Sequence, residues 1–156
     1  MTKLAVIRIR GEVNLAKDVA ATFKMLRLYK KHSCVIVPNN QSFIGMINKI
    51  KDQVTWGEIN ENTLKLLLEK RARLAGKQKL TNDYLKEKLK IDIENLAKDI
   101  LSDKKQIKDV PGIKLFFKLR PPLHGFERGG IKKQYSLGGS LGYRKEHINE
   151  LLSRMI

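Results

Sequence analysis

The chain has 156 residues, enough for one domain with a real hydrophobic core, or for a core carrying one sizeable insertion. Its 32 Lys and Arg against 16 Asp and Glu give a net charge of +16, which implies a polyanionic partner, and nucleic acid before a membrane, because basic side chains gain binding free energy by releasing counterions from phosphates. No run of ~18 apolar residues is present to span a bilayer, the charges in Met1 to Arg10 come too early for a secretory leader, and the single cysteine, Cys34, excludes an internal disulfide framework or a cysteine metal cluster.

Leu4-Ala5-Val6-Ile7-Arg8-Ile9-Arg10 alternates, predicting a strand with Ala5, Ile7 and Ile9 on a core face and Arg8 and Arg10 on a basic one. Asn14 is placed to cap a helix that carries Leu15, Val19, Phe23 and Leu26 inward. It is expected to end near Leu28 to Lys31, where Lys24, Arg27, Lys30 and Lys31 suit the negative end of the helix dipole. Ser33 to Val37 reads as a short apolar strand halted by Pro38-Asn39-Asn40, and Gln41 or Ser42 opens a helix with Ile44, Ile47 and Ile50 at near-helical spacing. Residues 1–57 are thus a β-α-β-α core.

Residues 58–110 read as a helical insertion. Asn60 or Asn62 caps a segment bearing Leu64, Leu67, Leu68, Ala72 and Ala75 on one face, a short helix covers Asn82 to Leu89, and Asp92 caps one with Ile93, Leu96, Ala97, Ile100 and Leu101 inward. Residues 41–110 hold 15 basic and 11 acidic side chains, against 8 and 2 in residues 1–40 and 9 and 3 in residues 111–156. The middle is therefore expected to be ordinary solvated helix surface, with acidic residues near Lys49, Lys51, Lys65, Lys86, Lys88 and Lys90, and the ends to carry the phosphate contacts.

Residues 111–156 are expected to return a strand, a basic loop and a final helix to the core. After Val110-Pro111-Gly112 the alternation of Leu115, Phe117 and Leu119 against Lys114, Lys118 and Arg120 predicts the strand. Phe116 shares the basic face and is open to stacking on a base or to packing beneath the insertion; Trp56 reads as a partly buried packing residue. Pro121 to Arg144 then concentrates six of the eleven glycines, Gly125, Gly129, Gly130, Gly138, Gly139 and Gly142, with His124, Arg128, Lys132, Lys133, Tyr135, Tyr143 and Arg144. Such a segment can follow an irregular phosphate surface while its cations and aromatics make specific contacts. With few large apolar side chains to offset the backbone entropy of ordering, it is expected to be mobile until RNA binds. A helix with Ile148, Leu151, Leu152, Met155 and Ile156 on one face closes the chain.

Catalytic and cofactor chemistry finds little support. Gly138-Gly139-x-x-Gly142 has the wrong spacing for a dinucleotide loop, and no phosphate-loop motif is present. His32, His124 and His147 are too scattered for a metal site. No nucleophile motif surrounds Ser33, Cys34 or Ser136, and Asp52 and Glu58 are ordinary carboxylates. No cofactor and no metal are expected. The rivals to a structural RNA-binding role are an RNA-processing enzyme and a free-standing RNA-binding regulator.

Several segments in order carry a family likeness: Leu4 to Gly11, Met25-Leu26-Arg27-Leu28, Gly45 to Asp52 followed by Val54-Thr55-Trp56-Gly57-Glu58-Ile59, Leu80-Thr81, Pro121-Pro122, Gly138-Gly139-x-Leu141-Gly142-Tyr143-Arg144, and Ile148 to Leu152. The chain resembles, essentially end to end, the universal large-subunit ribosomal protein L-thirty family in its archaeal and eukaryotic form, whose eukaryotic relative is L-seven. That family commonly follows its two prolines with an Arg-Gly-Gly turn, where this chain has Leu123-His124-Gly125. A start directly at the first strand, without a long basic extension, is more similar to the archaeal form.

The resemblance implies an α+β fold, a ferredoxin-like βαβα core with a mostly antiparallel sheet, a helical insertion and a C-terminal helix. It also implies a non-catalytic place in the cytoplasmic large ribosomal subunit, with ribosomal RNA and neighbouring large-subunit proteins as partners and no functional homo-oligomer. The expected RNA-binding residues are Arg8, Arg10, Arg27, Lys30, Lys31, Gly45, Met46, Lys49, Arg120, His124, Arg128, Lys132, Lys133, Tyr135, Tyr143 and Arg144. Alanine at Arg27, Lys132, Lys133 or Arg144 is expected to weaken RNA binding more than alanine at Lys86 or Lys98.

Overall fold

Every residue of the first strand, β1 (Lys3–Arg8), is buried, which a one-sided strand would not allow. In the computed structural model, which describes residues 2–156, β1 is the central strand of a five-stranded sheet of order β4-β2-β1-β3-β5. The others are β2 (Ser33–Pro38), β3 (Val54–Glu58), β4 (Phe117–Lys118) and β5 (Gly142–Tyr143). β1 runs antiparallel to both β2 and β3, β4 is antiparallel to β2, and only β5 is parallel to its neighbour β3. β2 and β3 are therefore parallel to each other and flank β1, the split arrangement of a ferredoxin-like sheet.

Helices cover both faces of the sheet. Leu4 and Val6 of β1 meet Phe23 of α1 (Lys17–Met25), Ile47 of α2 (Gln41–Lys49), and Leu26 and Ile50, which follow those helices. Ala5, Ile7 and Ile9 meet Leu64, Leu67, Leu68, Leu96, Ile100, Leu151 and Leu152 from α3 (Glu61–Arg71), α5 (Ile93–Leu101) and α6 (Ile148–Met155), with Leu85 of α4 (Asn82–Leu89). The expected basic face of β1 is thus a second core face. The helices of residues 58–110 and α6 together form one of the two helical layers, sharing a hydrophobic cluster with β1.

The local stops follow from backbone geometry. β1 ends where the N–H groups of Ile9 and Arg10 both donate to the Gln53 carbonyl, at 3.0 and 3.1 Å, and turn the chain away. Asn14 does not cap α1: it sits at φ 56 in the turn before it, and Ala16 precedes the helix without a side-chain cap. α1 stops earlier than its basic residues suggest, because Leu28 is fully buried and its N–H reaches back to the Phe23 carbonyl while the Arg27 N–H reaches that of Lys24. These two bonds form a Schellman stop, and they leave Arg27 at φ 58 in the left-handed position that glycine usually fills.

Candidate nucleic-acid interface

The strand registers bring distant basic segments to one end of the sheet. Ile7 lies opposite Cys34, Arg8 opposite Val54, Ser33 opposite Lys118 and Thr55 opposite Gly142. The exit of β1 therefore adjoins the start of β2, the start of β3, the end of β4 and the start of β5. His32 links three of these strands by donating its N–H to the Arg8 carbonyl at 2.8 Å and accepting from Leu119 N–H at 2.9 Å. Its ring stacks on Phe126 at 6.1 Å, which ties the glycine-rich segment to the same end.

Around this end Arg27, Lys30, Lys31, Arg120, His124, Arg128, Lys132 and Lys133 are exposed. Arg10 is half-buried and donates to the Asp52 carbonyl at 3.4 Å. Lys49 is exposed but lies 3.3 Å from Asp18, and Met46 is half-buried against the α1/α2 cluster. His124 occupies φ 61 in a turn whose Gly125 N–H bonds to the Pro122 carbonyl at 3.0 Å, so histidine holds a position that favours glycine.

Two of the expected contact residues face inward. Arg8 is only 1% exposed. Its guanidinium donates to the carbonyls of Leu28 at 2.7 Å, Tyr29 at 3.1 Å, Arg10 at 3.0 Å and Gly11 at 3.1 Å, and lies 4.1 Å over the Phe23 ring. It fastens the exit of β1 to the end of α1; burial lowers its pKa and Glu12 works the other way. Arg144 is 2% exposed. It donates to Thr55 Oγ1 at 2.8 Å, to the Ser140 carbonyl at 3.1 Å and to both carboxylate oxygens of Glu127 at 2.5 and 2.8 Å, with its guanidinium 4.6 Å over the Tyr135 ring. Arg8, Arg144 and the half-buried Tyr135 thus have polar groups or a ring engaged within the fold.

Glu127 is the hub of the glycine-rich segment. It also accepts from Ser140 Oγ at 2.8 Å and lies 3.3 Å from Arg154. Burial works to raise its pKa, but the hydrogen bonds from Arg144, from its own backbone amide and from Ser140, with the Arg144 charge, outweigh burial and hold the carboxyl at about 2. Backbone bonds cross-link the rest: Gly129 N–H to Gly138 O, Ser140 N–H to Gly130 O and Lys133 O, Gly139 N–H to Gln134 O, and Tyr135 N–H to Leu141 O. A Cβ at Gly129 would come within 2.6 Å of Gly138 O, and one at Gly139 within 2.2 Å of Lys133 O, so these glycines serve close approach inside the segment. The segment expected to order against RNA therefore carries a set of hydrogen bonds of its own.

Gly45 is the opposite case. It lies exposed inside α2 with nothing within 4 Å of a Cβ built on it. Glycine in a helix interior costs about 1 kcal/mol relative to alanine, so Gly45→Ala is expected to stabilise the free protein by ~0.5–1 kcal/mol in urea denaturation. A loss of stability would reveal a contact within the fold.

Sequence reasoning missed Tyr29, which is 46% exposed and meets the Phe116 ring edge-on at 5.6 Å. The available signal was an aromatic inside the basic run Arg27-Leu28-Tyr29-Lys30-Lys31. Phe116 packs against the α1/α2 cluster and not beneath the insertion. Tyr143 is likewise 46% exposed; its ring leans on Trp56 at 6.2 Å, and its hydroxyl donates to the Glu58 carboxylate, which with burial pushes its pKa up to about 12. Among the described residues no group of three or more His, Cys, Asp or Glu is placed to hold a metal ion, and no helix is long and apolar enough to cross a membrane.

A family model described as Ribosomal protein L30p/L7e matches residues 4–54. Large ribosomal subunit protein uL30 of Methanococcus vannielii is 48% identical over 152 residues, covering 97% of this chain and 98% of the relative. Proteins of the same description from Nanoarchaeum equitans, 47% identical over the whole of both chains, and Archaeoglobus fulgidus, 45% identical over 97% of this chain and 98% of the relative, agree. Identity at this level across both helical layers and the glycine-rich segment means that the chain belongs to the ribosomal protein L30p/L7e family.

Proposed function

We propose that the protein is a structural constituent of the large ribosomal subunit, in the cytoplasm, that binds and stabilises large-subunit ribosomal RNA. The observation that carries this role is the convergence of exposed cations from residues 27–31 and 120–133 on one end of the sheet, where the one acidic side chain of residues 111–144, Glu127, is already bound by Arg144 and Arg154. Arg10, Arg27, Lys30, Lys31, Arg120, His124, Arg128, Lys132 and Lys133 contact phosphates, Tyr29 and Tyr143 offer ring faces, and the bare helix surface at Gly45, beside Lys49, admits an RNA backbone. Arg8, Arg144, Met46 and Tyr135 shape this surface from within. The protein stabilises folded RNA by binding it in preference to unfolded RNA and turns over no substrate. It works as a single copy beside neighbouring large-subunit proteins.

Cofractionation with large subunits under ribosome-preserving salt tests the role, with the protein expected in stoichiometric amount; a free-standing regulator would be substoichiometric. In RNA binding, alanine at Lys132 or Lys133 is expected to cost more than alanine at Lys86 or Lys98, which lie 3.3 Å from Asp92 and 3.8 Å from Glu61. Equal losses in both pairs would refute the assignment. Gly45→Ala is expected to weaken RNA binding although it stabilises the free protein.

A further inference from the structure

The sheet leaves half of one edge strand without a neighbour. β4 pairs with β2 only at Ser33 and Cys34. Just before β4 the chain is drawn off to the loop after α3, where Ile113 bridges Leu74 and the Lys114 N–H donates to the Arg73 carbonyl at 2.9 Å. The register of β1 on β2, continued by the bond from Asn39 N–H to the Thr2 carbonyl at 3.1 Å, turns the main-chain groups of Val35 and Val37 towards β1 and those of Ile36 away from it. Among the described residues nothing bonds to the Ile36 N–H or carbonyl. This open edge is the floor of a groove of about 550 Å³ between the two helical layers. Met25 and Phe43 form one wall, Ile100 and Ile107 the other. Met25, the last residue of α1, is 66% exposed.

We propose that this groove docks an extended segment of a neighbouring large-subunit protein, which adds a strand to β2 beside β4. The site rests on the ribosomal role proposed above and names the kind of protein contact that role requires. A polypeptide fits because the floor offers a main-chain donor and acceptor together at Ile36, and an added strand answers both. Side chains of such a strand point alternately to its two faces, so they meet the Met25 wall and the Ile107 wall in turn. Open edges are ordinarily blunted by charge or proline; here Pro38 ends the strand and limits the partner to a few residues, but the walls beside the edge are apolar. The exposed cations at the mouth are Lys108 and, towards the RNA-facing surface, Arg27, whereas the acidic lining residue Asp103 is already paired with Lys3. The incoming segment is therefore apolar and carries a carboxylate. A second copy of this chain fits poorly, since it would bring the same cations and its own net charge of +16 to the mouth.

Site-directed photo-cross-linking in the assembled subunit tests the site. Asn40 lines the groove, is exposed and makes no side-chain cap bond to α2, and Cys34 is buried, so Asn40→Cys takes a benzophenone maleimide at one place. The labelled full chain is incorporated into large subunits and irradiated, and the linked peptides are sequenced by mass spectrometry. One segment of one other large-subunit protein is expected, alternating in apolar residues and containing Asp or Glu. Adding Met25→Gln is expected to lower the yield of that link about tenfold, while affinity for a large-subunit ribosomal RNA transcript stays within about twofold. The Ile36 amide is expected to exchange freely in the isolated chain and at least ~tenfold more slowly in the subunit. Links only to ribosomal RNA, to a second copy or to scattered segments, or an Ile36 amide unchanged by assembly, would overturn the docking site and leave the RNA-binding role standing. A chain that does not enter large subunits would overturn both.

Discussion

Arg144→Ala is expected to destabilise the protein by about 3–5 kcal/mol, the usual cost of removing one partner from a buried ion pair. The side chain joins β3 through Thr55, the glycine-rich segment through Ser140 and Glu127, and the Tyr135 ring, and no neighbour can take all of these places. Urea denaturation measures the loss. Amide exchange locates it: protection across residues 127–144 is expected in the wild-type protein without RNA and is expected to fall there first in the variant. A free wild-type protein with unprotected amides in this stretch would refute the assignment of order to the Glu127 network. The pH dependence has a fixed sign. The Glu127 carboxyl is at about 2 in the folded protein against an ordinary 4.5, so its contribution is full above the ordinary value and drains away as pH falls towards 2. The shift corresponds to roughly 3 kcal/mol, and Glu127→Gln is expected to be less stable near neutrality and flatter through this acid window.

Affinity for large-subunit ribosomal RNA is expected to fall by ~10³–10⁵ between about 50 and 200 mM salt, as for a protein that neutralises some 6–10 phosphates. Arg27, Lys30, Lys31, Arg120, Arg128, Lys132 and Lys133 all reach solvent and supply that number of cations. Filter binding across the salt series gives the slope, and alanine at Lys132 or Lys133 is expected to reduce it by ~1 each. Arg8→Ala separates charge from fold: its guanidinium is occupied by four main-chain carbonyls, so stability falls while the slope of the folded protein stays. An affinity indifferent to salt would refute phosphate contact as the source of binding.

What was local in the sequence was legible there. Alternation of apolar residues marked β1 and the β4 region, helical spacing marked α2, α3 and α5, and the placing of charge marked residues 27–31 and 120–133 as the basic surface, because periodicity and net charge survive any arrangement of the elements. Order of familiar segments pointed to the family for the same reason. The fate of each arginine was not local. Arg8 and Arg10 share an alternation and nearly a position, yet the close of α1 places the Leu28 and Tyr29 carbonyls around Arg8 and leaves Arg10 at the rim. Arg144 looked like one more loop cation until the fold set Glu127, Thr55 and Tyr135 around it. The bonds that order the glycine-rich segment likewise join residues with no shared period. Sequence pattern determines which residues favour the interior; only the tertiary structure decides which polar groups find partners there, because a hydrogen bond or ion pair depends on distances that long-range packing sets.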